Sequence, residues 1–425
     1  MFGKGAIILL IGFGIIFGFI GIRLNSLENR AIGNMAYYYD INLSHNLAVA
    51  GANAGISRVY QDSSLRGVIT NQTFSSGLFK GGSLIVRMDS ININTLRLRS
   101  VSSYKNYKDT VEVFFSKQRF QTFSMFAWMT NFEGNVFWIT GDTVWGRVHS
   151  NGNIHISGSP VFMEKLTTAK QIDPKPGNGQ SKAIYKKGYE TGVAPIPFPT
   201  DLSELIAAST SGGRRYTTNI WITLSSGSSS NNDGKAYIRT SATGPIIDSI
   251  SINDPSFNGV IYSTQQVTVL GGKVDGKLTI SSGTNIIIAD DVTYERDPLI
   301  TPTSDDLLGL VANNSVIVAD NTANRNNCEI HAAIFCRSGS FYAENYNNRP
   351  ISGYLKIIGG VIQDTRGTVG TFNTGTNTLK TGFSKRYYFD PRLADVNTRP
   401  PYFPGYYRKT LAIVNWWENV RIPKF

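Results

Sequence analysis

Uncharged, mostly apolar residues run unbroken from Ala6 to Ile22, with Lys4 before them and Arg23 after. Read as a helix, these about 17 residues extend roughly 26 Å, near the lower limit for crossing a bilayer. The lipid-facing candidates are Ala6, Ile7, Ile8, Leu9, Leu10, Ile11, Phe13, Ile15, Ile16, Phe17, Phe19, Ile20 and Ile22. A cleaved secretory signal shares the positive start and apolar core, but no small-residue cleavage site follows and the helical pattern continues. Lys4 ahead of the run predicts a single-pass anchor, with the start of the chain inside and the rest outside.

Beyond the run, Leu24, Leu27, Ala31, Met35 and Tyr38 recur at helical spacing, followed by Leu47, Ala50, Ala54, Ile56 and Val59. Small residues gather at Ala48, Gly51, Ala52 and Gly55, where another element can approach closely. From Ser83 the period changes to two, in Ser83–Met88, Thr95–Val101 and Thr110–Phe115. These read as antiparallel strands leaning on the stalk helix.

From Asn219 the chain breaks into short apolar runs parted by Gly, Asn, Asp or Ser, among them Gly259–Ser263, Asn285–Ala289, Ser315–Ala319 and Tyr354–Val361. Strands this short, with no helices between them, predict stacked coils that bury each run between neighbours above and below. The expected fold is mainly β: a long N-terminal helix, a small antiparallel sheet and a right-handed parallel β-helix, with a β-sandwich as the rival. The expected divisions are 1–62 for anchor and stalk, 63–122 for the sheet and 123–425 for the solenoid body. A Pro-, Gly- and Lys-rich excursion over about 166–215 carries a short helix at Asp201–Ala208 capped by Thr200. The final strand, Leu411–Trp417, is expected to dock on the body, with the aromatic and Pro-rich stretch Tyr387–Pro404 closing the solenoid's end.

Composition supports a folded, turn-rich chain: 42 glycines in 425 residues, with charged residues at 17%. The net charge of +11 favours anionic partners such as acidic glycans, but the basic residues are scattered and form no nucleic-acid motif. Cys328 and Cys336 bound one predicted strand, whose ends lie roughly 25 Å apart if it is straight, so both are expected reduced or buried.

An apolar then amphipathic N-terminal helix with the Ala/Gly-rich stretch Leu47–Arg58 resembles that of type IV pilins, and of PilX-like minor pilins in particular. The resemblance covers about the first 60 residues. It implies processing between Gly5 and Ala6, a filament-tip or accessory position, adhesion or assembly at the cell surface, and pilin-like or pilus-assembly proteins as partners beside the membrane. Pilins usually carry Glu at the fifth mature position, where this chain has Leu10, so an uncleaved anchor fits equally well. A second likeness lies in Gly141, Asp142, Gly146, His149 and Asn151, followed by Gly158, Pro160 and Phe162. The spacing is similar to that in an uncharacterised family of bacterial pilin-like exported proteins, though Arg147 replaces its usual small residue or Pro.

Two chemical readings compete with a purely structural one. Asp142, His149 and His155 are metal-ligand types, but His149 and His155 on one straight strand stand about 20 Å apart, so they meet only if Asn151-Gly152 turns the chain. The simpler reading gives Gly141, Gly146 and Gly152 turn conformations, with Asp142 and Asn151 bonded to nearby backbone. A β-helix enzyme acting on acidic polysaccharides would need converging carboxylates, and Asp290-Asp291 and Asp305-Asp306 are the candidates. Adjacent strand residues point to opposite faces, so neither pair converges without a bend. The expectation is therefore no catalytic, metal or cofactor site.

Overall fold

The computed structural model describes residues 3–62, 64–92, 95–177, 179, 181–227, 233–373, 378–395 and 397–418. They form two compact units, residues 1–119 with 408–425, and residues 120–407.

In the first unit one helix runs from Gly3 to Gln61, as the periodicity predicts. Its side chains are exposed up to Tyr39, and burial begins at Asp40. The buried stripe is Leu43, Leu47, Ala48, Gly51, Ala52, Gly55 and Val59, an i, i+4 row with its neighbours. It packs on a five-stranded sheet in the order Gly67–Thr73, Gly82–Asn92, Thr95–Tyr104, Tyr107–Thr122 and Gly405–Glu418. The middle three strands pair antiparallel, as their alternation predicts. Sheet and helix approach closely because the row is small: a Cβ at Gly51 would lie 2.5 Å from both Leu84 Cδ1 and Ser100 Oγ. The sheet's serines also bond to the helix backbone, Ser100 Oγ donating to Ala48 O at 2.7 Å and Ser102 Oγ to Ser44 O at 2.6 Å. The final strand lies beside Tyr107–Thr122 in this sheet, not on the body as its sequence suggested. An apolar strand pattern specifies burial but not which sheet edge supplies it.

In the second unit, strands stack in parallel. One ladder runs Val260–Ser263, Lys277–Ser282, Leu307–Ala312, Cys328–Cys336, Ile351–Thr365, Trp128–Phe132, Val148–Ser150, Leu166–Thr168 and Tyr189–Thr191. In register along it stand Ile261, Ile280, Leu310, Ile334, Val361, Trp128, Val148 and Leu166, all in the main apolar core. A second ladder holds Ile220–Ser225, Val267–Val274, Ile286–Ile288, Val316–Val318 and Phe341–Ala343. A third begins at the end of Val267–Val274 and passes through Val292–Tyr294, Cys328–Cys336, Ile351–Thr365, Leu379–Tyr388, Thr143–Trp145 and Val161–Phe162 to Ile184–Tyr185.

The spatial order is not the chain order. The chain enters the stack at Trp128 and builds outward to Thr191. It then crosses back over the first ladder's outer face and restarts at Arg214–Tyr216, which pairs with Val260–Ser263. From there it builds inward until Ile351–Thr365 meets Trp128–Phe132. The crossing accounts for the excursion. Phe198 stacks on Phe335 with centroids 5.5 Å apart, Thr200 O accepts from Arg337, and the helix Ser203–Thr210 adds Leu205 and Ala208 to a second apolar cluster. Thr200 does not cap that helix; Asp201 Oδ1 accepts from Ser203 N at 2.9 Å. The other part of the expected excursion supplies ladder strands. The last rung is formed by Tyr185, stacked beneath Phe162, and Tyr189, tilted against Tyr185, whereas Tyr387 lies in the middle of the core and Phe403 on the outer face. The aromatic C-terminal stretch therefore does not close that end.

Candidate functional site

Two regions stand out: the bare half of the N-terminal helix, and the seam where the two stacks of the second unit meet. Every anchor residue named from the sequence lies on the helix with its side chain exposed, and the most apolar 18-residue window has a mean hydropathy of 2.6 with none of it buried. Fully burying each large apolar side chain gains about 1.5–3 kcal/mol, so twelve of them in water amount to a penalty on the order of 20 kcal/mol or more. Gly5 and Ala6, the processing candidates, sit in the helix's first turn.

The seam is built around Trp138. Trp128–Phe132 pairs with Ile351–Thr365, and Asn131 Nδ2 donates to Asp364 Oδ1 at 2.8 Å. Arg366 and Glu133, each with a side chain 1% exposed, pair at 2.7 Å. The guanidinium lies 4.1 Å from the Trp138 ring centroid and also donates to the carbonyls of Val136 and Phe137. Beside it Lys385 Nζ meets Asp142 Oδ2 at 3.0 Å, and the same oxygen accepts from Ile139 N. Burial holds the Lys385 ammonium below the usual lysine range, against the pull of Asp142. These charges are paired and enclosed, and each pair joins segments more than 200 residues apart in the chain.

The motif residues cluster at and below this seam. Gly141 has φ +93° and turns the chain into Asp142. Gly146 is needed for packing, not for a turn, because a Cβ there would lie 2.6 Å from Ala127 Cβ and 2.7 Å from Phe389 Cβ. His149 bonds to Thr167 Oγ1 at 2.8 Å and to Asn151 Oδ1 at 3.0 Å. Asn151 reaches the crossing segment instead of nearby backbone: its amide donates to Ile196 O at 2.7 Å and its oxygen accepts from Ile196 N at 2.8 Å. Gly158 has φ +80°, Pro160 O accepts from Ile184 N, and Phe162 is buried against Trp138 and Tyr185. His155 faces Asp173 at 3.5 Å and Phe137, away from the partners of His149 and Asp142. The structure does not join the three metal-ligand candidates, and no such cluster occurs among the described residues.

The carboxylate pairs behave differently from each other. A bend brings Asp305 and Asp306 together with Asp275 on the Arg296 guanidinium, at 2.6, 3.3 and 3.3 Å. Asp306 also accepts from the N–H groups of Gly276 and Arg296. Burial, and then the Asp306 charge, push the Asp275 carboxyl above the usual range. Asp290 accepts from Asp291 N, and Asp291 from Glu329 N at 2.7 Å, with burial raising the Asp291 carboxyl. Glu329 in turn takes Lys356 at 2.6 Å and His331 at 2.8 Å. Buried His331 accepts the Tyr294 N–H on Nδ1, which places its proton on Nε2 facing Glu329; desolvation lowers its pKa. Sequence spacing gave no signal for Arg366, Glu133 or Lys385, whose partners stand more than 200 residues away. Both cysteines are buried and unbridged, and burial pushes the Cys336 thiol up to about 12.

No family model matches the chain, and no curated protein matches it. Among solved structures, the competence-associated pilin ComZ from Thermus thermophilus aligns with a TM-score of 0.37 at 12% identity, over 90% of this chain and 98% of that one.

Proposed function

We propose that this chain is a membrane-anchored, pilin-like surface structural protein, with the first half of its helix in the bilayer and its ladders forming a β-solenoid outside. The observation that carries the reading is the division of one continuous helix: residues 3–39 are bare, whereas the row from Leu43 to Val59 is seated in an antiparallel sheet. A soluble globule has no use for so long an unpaired apolar helix, whereas a bilayer or a bundle of like helices buries it. The partners are then the membrane and other pilin-like or assembly proteins, in a minor-pilin, filament-tip or adhesive role. The positive charge suits acidic glycans or other anionic surfaces. The seam, the motif and the paired carboxylates support a role in shape, since their charged side chains are paired with one another.

Fractionation tests the reading. The full chain is expected in the membrane pellet after alkaline carbonate washing, with its body cleaved by protease added outside the inner membrane. Replacing Ile15 and Ile16 with Arg should weaken its retention in the washed pellet, each charge costing about 2.5–3.5 kcal/mol near the span's centre. Recovery of the unaltered protein in the soluble cytoplasmic fraction ends the proposal. Sequencing the membrane-bound N-terminus decides between a start at Ala6 and an uncleaved anchor.

A further inference from the structure

Within the apolar run every face of the helix is alike, so a seam can be read only beyond it. From Arg23 to Tyr39 the helix carries Arg23, Glu28, Arg30 and several asparagines, which keep it outside a bilayer, and all of its side chains are exposed. Leu24, Leu27, Ala31, Asn34 and Tyr38 follow one another at alternating steps of three and four, the a and d positions of a two-stranded coiled coil. Leu24 and Leu27 are each 60% exposed, and Met35 beside the row is 76% exposed. The opposite face is polar, with Asn25, Ser26 and Asn29 on it and Asn29 Nδ2 donating to Asn25 Oδ1 at 3.0 Å. Ile32 is the one apolar side chain before Asn34 left off the row. The helix's own sheet does not cover the row. Burial there begins with Asp40, Leu43, Ser44 and Leu47, about 160° round the helix from Ala31, Asn34 and Tyr38.

We propose that this row is the seam of a parallel, in-register pair with the same helix of a second copy. The pairing rests on the membrane-anchored reading, because one bilayer holding both apolar runs sets the two helices side by side and pointing the same way. The charges favour this partner. Arg23 and Glu28 are five residues apart, too far round one helix to meet, and among the described residues neither forms an ion pair. In the in-register pair they take the g and e positions that flank the seam, so Arg23 of each copy faces the partner's Glu28. Asn34 meets its own counterpart, and a polar residue within an apolar seam holds the register. The two-fold axis runs along the helices, which leaves the two sheets on the outer sides of the pair.

Oxidative crosslinking of the full-length chain in its membrane tests this, with buried Cys328 and Cys336 making the unaltered protein the blank. Ala31→Cys sets two thiols across the seam within disulfide reach, whereas Asn29→Cys points away from it. Ala31→Cys should therefore give an adduct of twice the chain mass, several-fold more than Asn29→Cys. Adding Glu28→Arg to the Ala31→Cys chain brings like charges together and should lower that yield several-fold. Adding Arg23→Glu as well restores the pair with its signs exchanged, and the yield should recover. Equal yields at 31 and 29, adducts only of another mass, no adduct from Ala31→Cys protein recovered in the washed pellet, or no recovery on charge exchange overturns the pairing and leaves the anchor standing. Absence of the unaltered chain from the pellet removes both.

Discussion

Removing the Arg366 guanidinium gives the sharpest test of how the two stacks are joined. Arg366→Met leaves a thioether of comparable reach against Trp138 but strands Glu133, whose carboxylate is buried with Thr130 as its remaining side-chain donor. It also frees two carbonyls, Val136 O and Phe137 O. Breaking one side of a buried ion pair costs about 3–5 kcal/mol, and that range applies here because both partners are almost fully enclosed. Glu133→Gln should cost less, since the amide oxygen still accepts from Arg366 while Thr130 loses its acceptor. The double variant should be milder than the sum of the singles by about 1–3 kcal/mol, the usual coupling for residues in contact. Trp128 and Trp138 flank the guanidinium and report the seam directly by fluorescence during urea unfolding. With a slope of about 3 kcal/mol per M, Arg366→Met should lower the midpoint by roughly 1 M. A shift below about 0.2 M, or strict additivity in the double variant, would refute the claim that this pair secures the seam.

Gly51→Ala should destabilise the first unit although alanine is the better helix former by about 1 kcal/mol, because its Cβ displaces Leu84 and the Ser100 hydroxyl bonded to Ala48. Gly33→Ala, in the same helix with nothing within 4 Å, should be neutral or stabilising; thermal unfolding of both variants by circular dichroism separates the effects. His331 has a lowered folded pKa, so between that value and about 6.5 the unfolded state binds the extra proton and stability rises with pH. Stability should therefore fall as pH drops below about 6.5, with a weaker slope in His331→Gln, measured by urea midpoints across pH 4.5–7.5. Asn151→Ala removes both clamps on Ile196 and should cost about 1–3 kcal/mol locally, seen as faster proteolysis within residues 192–200 and normal retention at the membrane.

The helix, the antiparallel meander and the existence of many short strands are written locally. A bilayer-length run without charge, an i, i+4 row of small residues and a period of two each follow from the geometry of the element that contains them. Most places where the reading departs from the structure involve a partner outside the element that contains the residue. The last strand joined the first unit's sheet. Tyr185 and Tyr189, not the C-terminal aromatics, formed the last rung. Asn151 held Ile196 instead of its own turn. Asp305 and Asp306 converged because Arg296 and a bend gathered them.

The sequence by itself thus determined which segments are helix, strand and apolar anchor, since those depend on residues within a turn or two of each other. Only the tertiary structure decided the order in which strands stack, with Trp128–Phe132 lying against Ile351–Thr365 and Glu133 against Arg366. Parallel rungs are alike in their apolar pattern, so pattern cannot rank one neighbour above another. The choice falls to a few buried charges and tight glycines, whose energy exists only once both partners have left water.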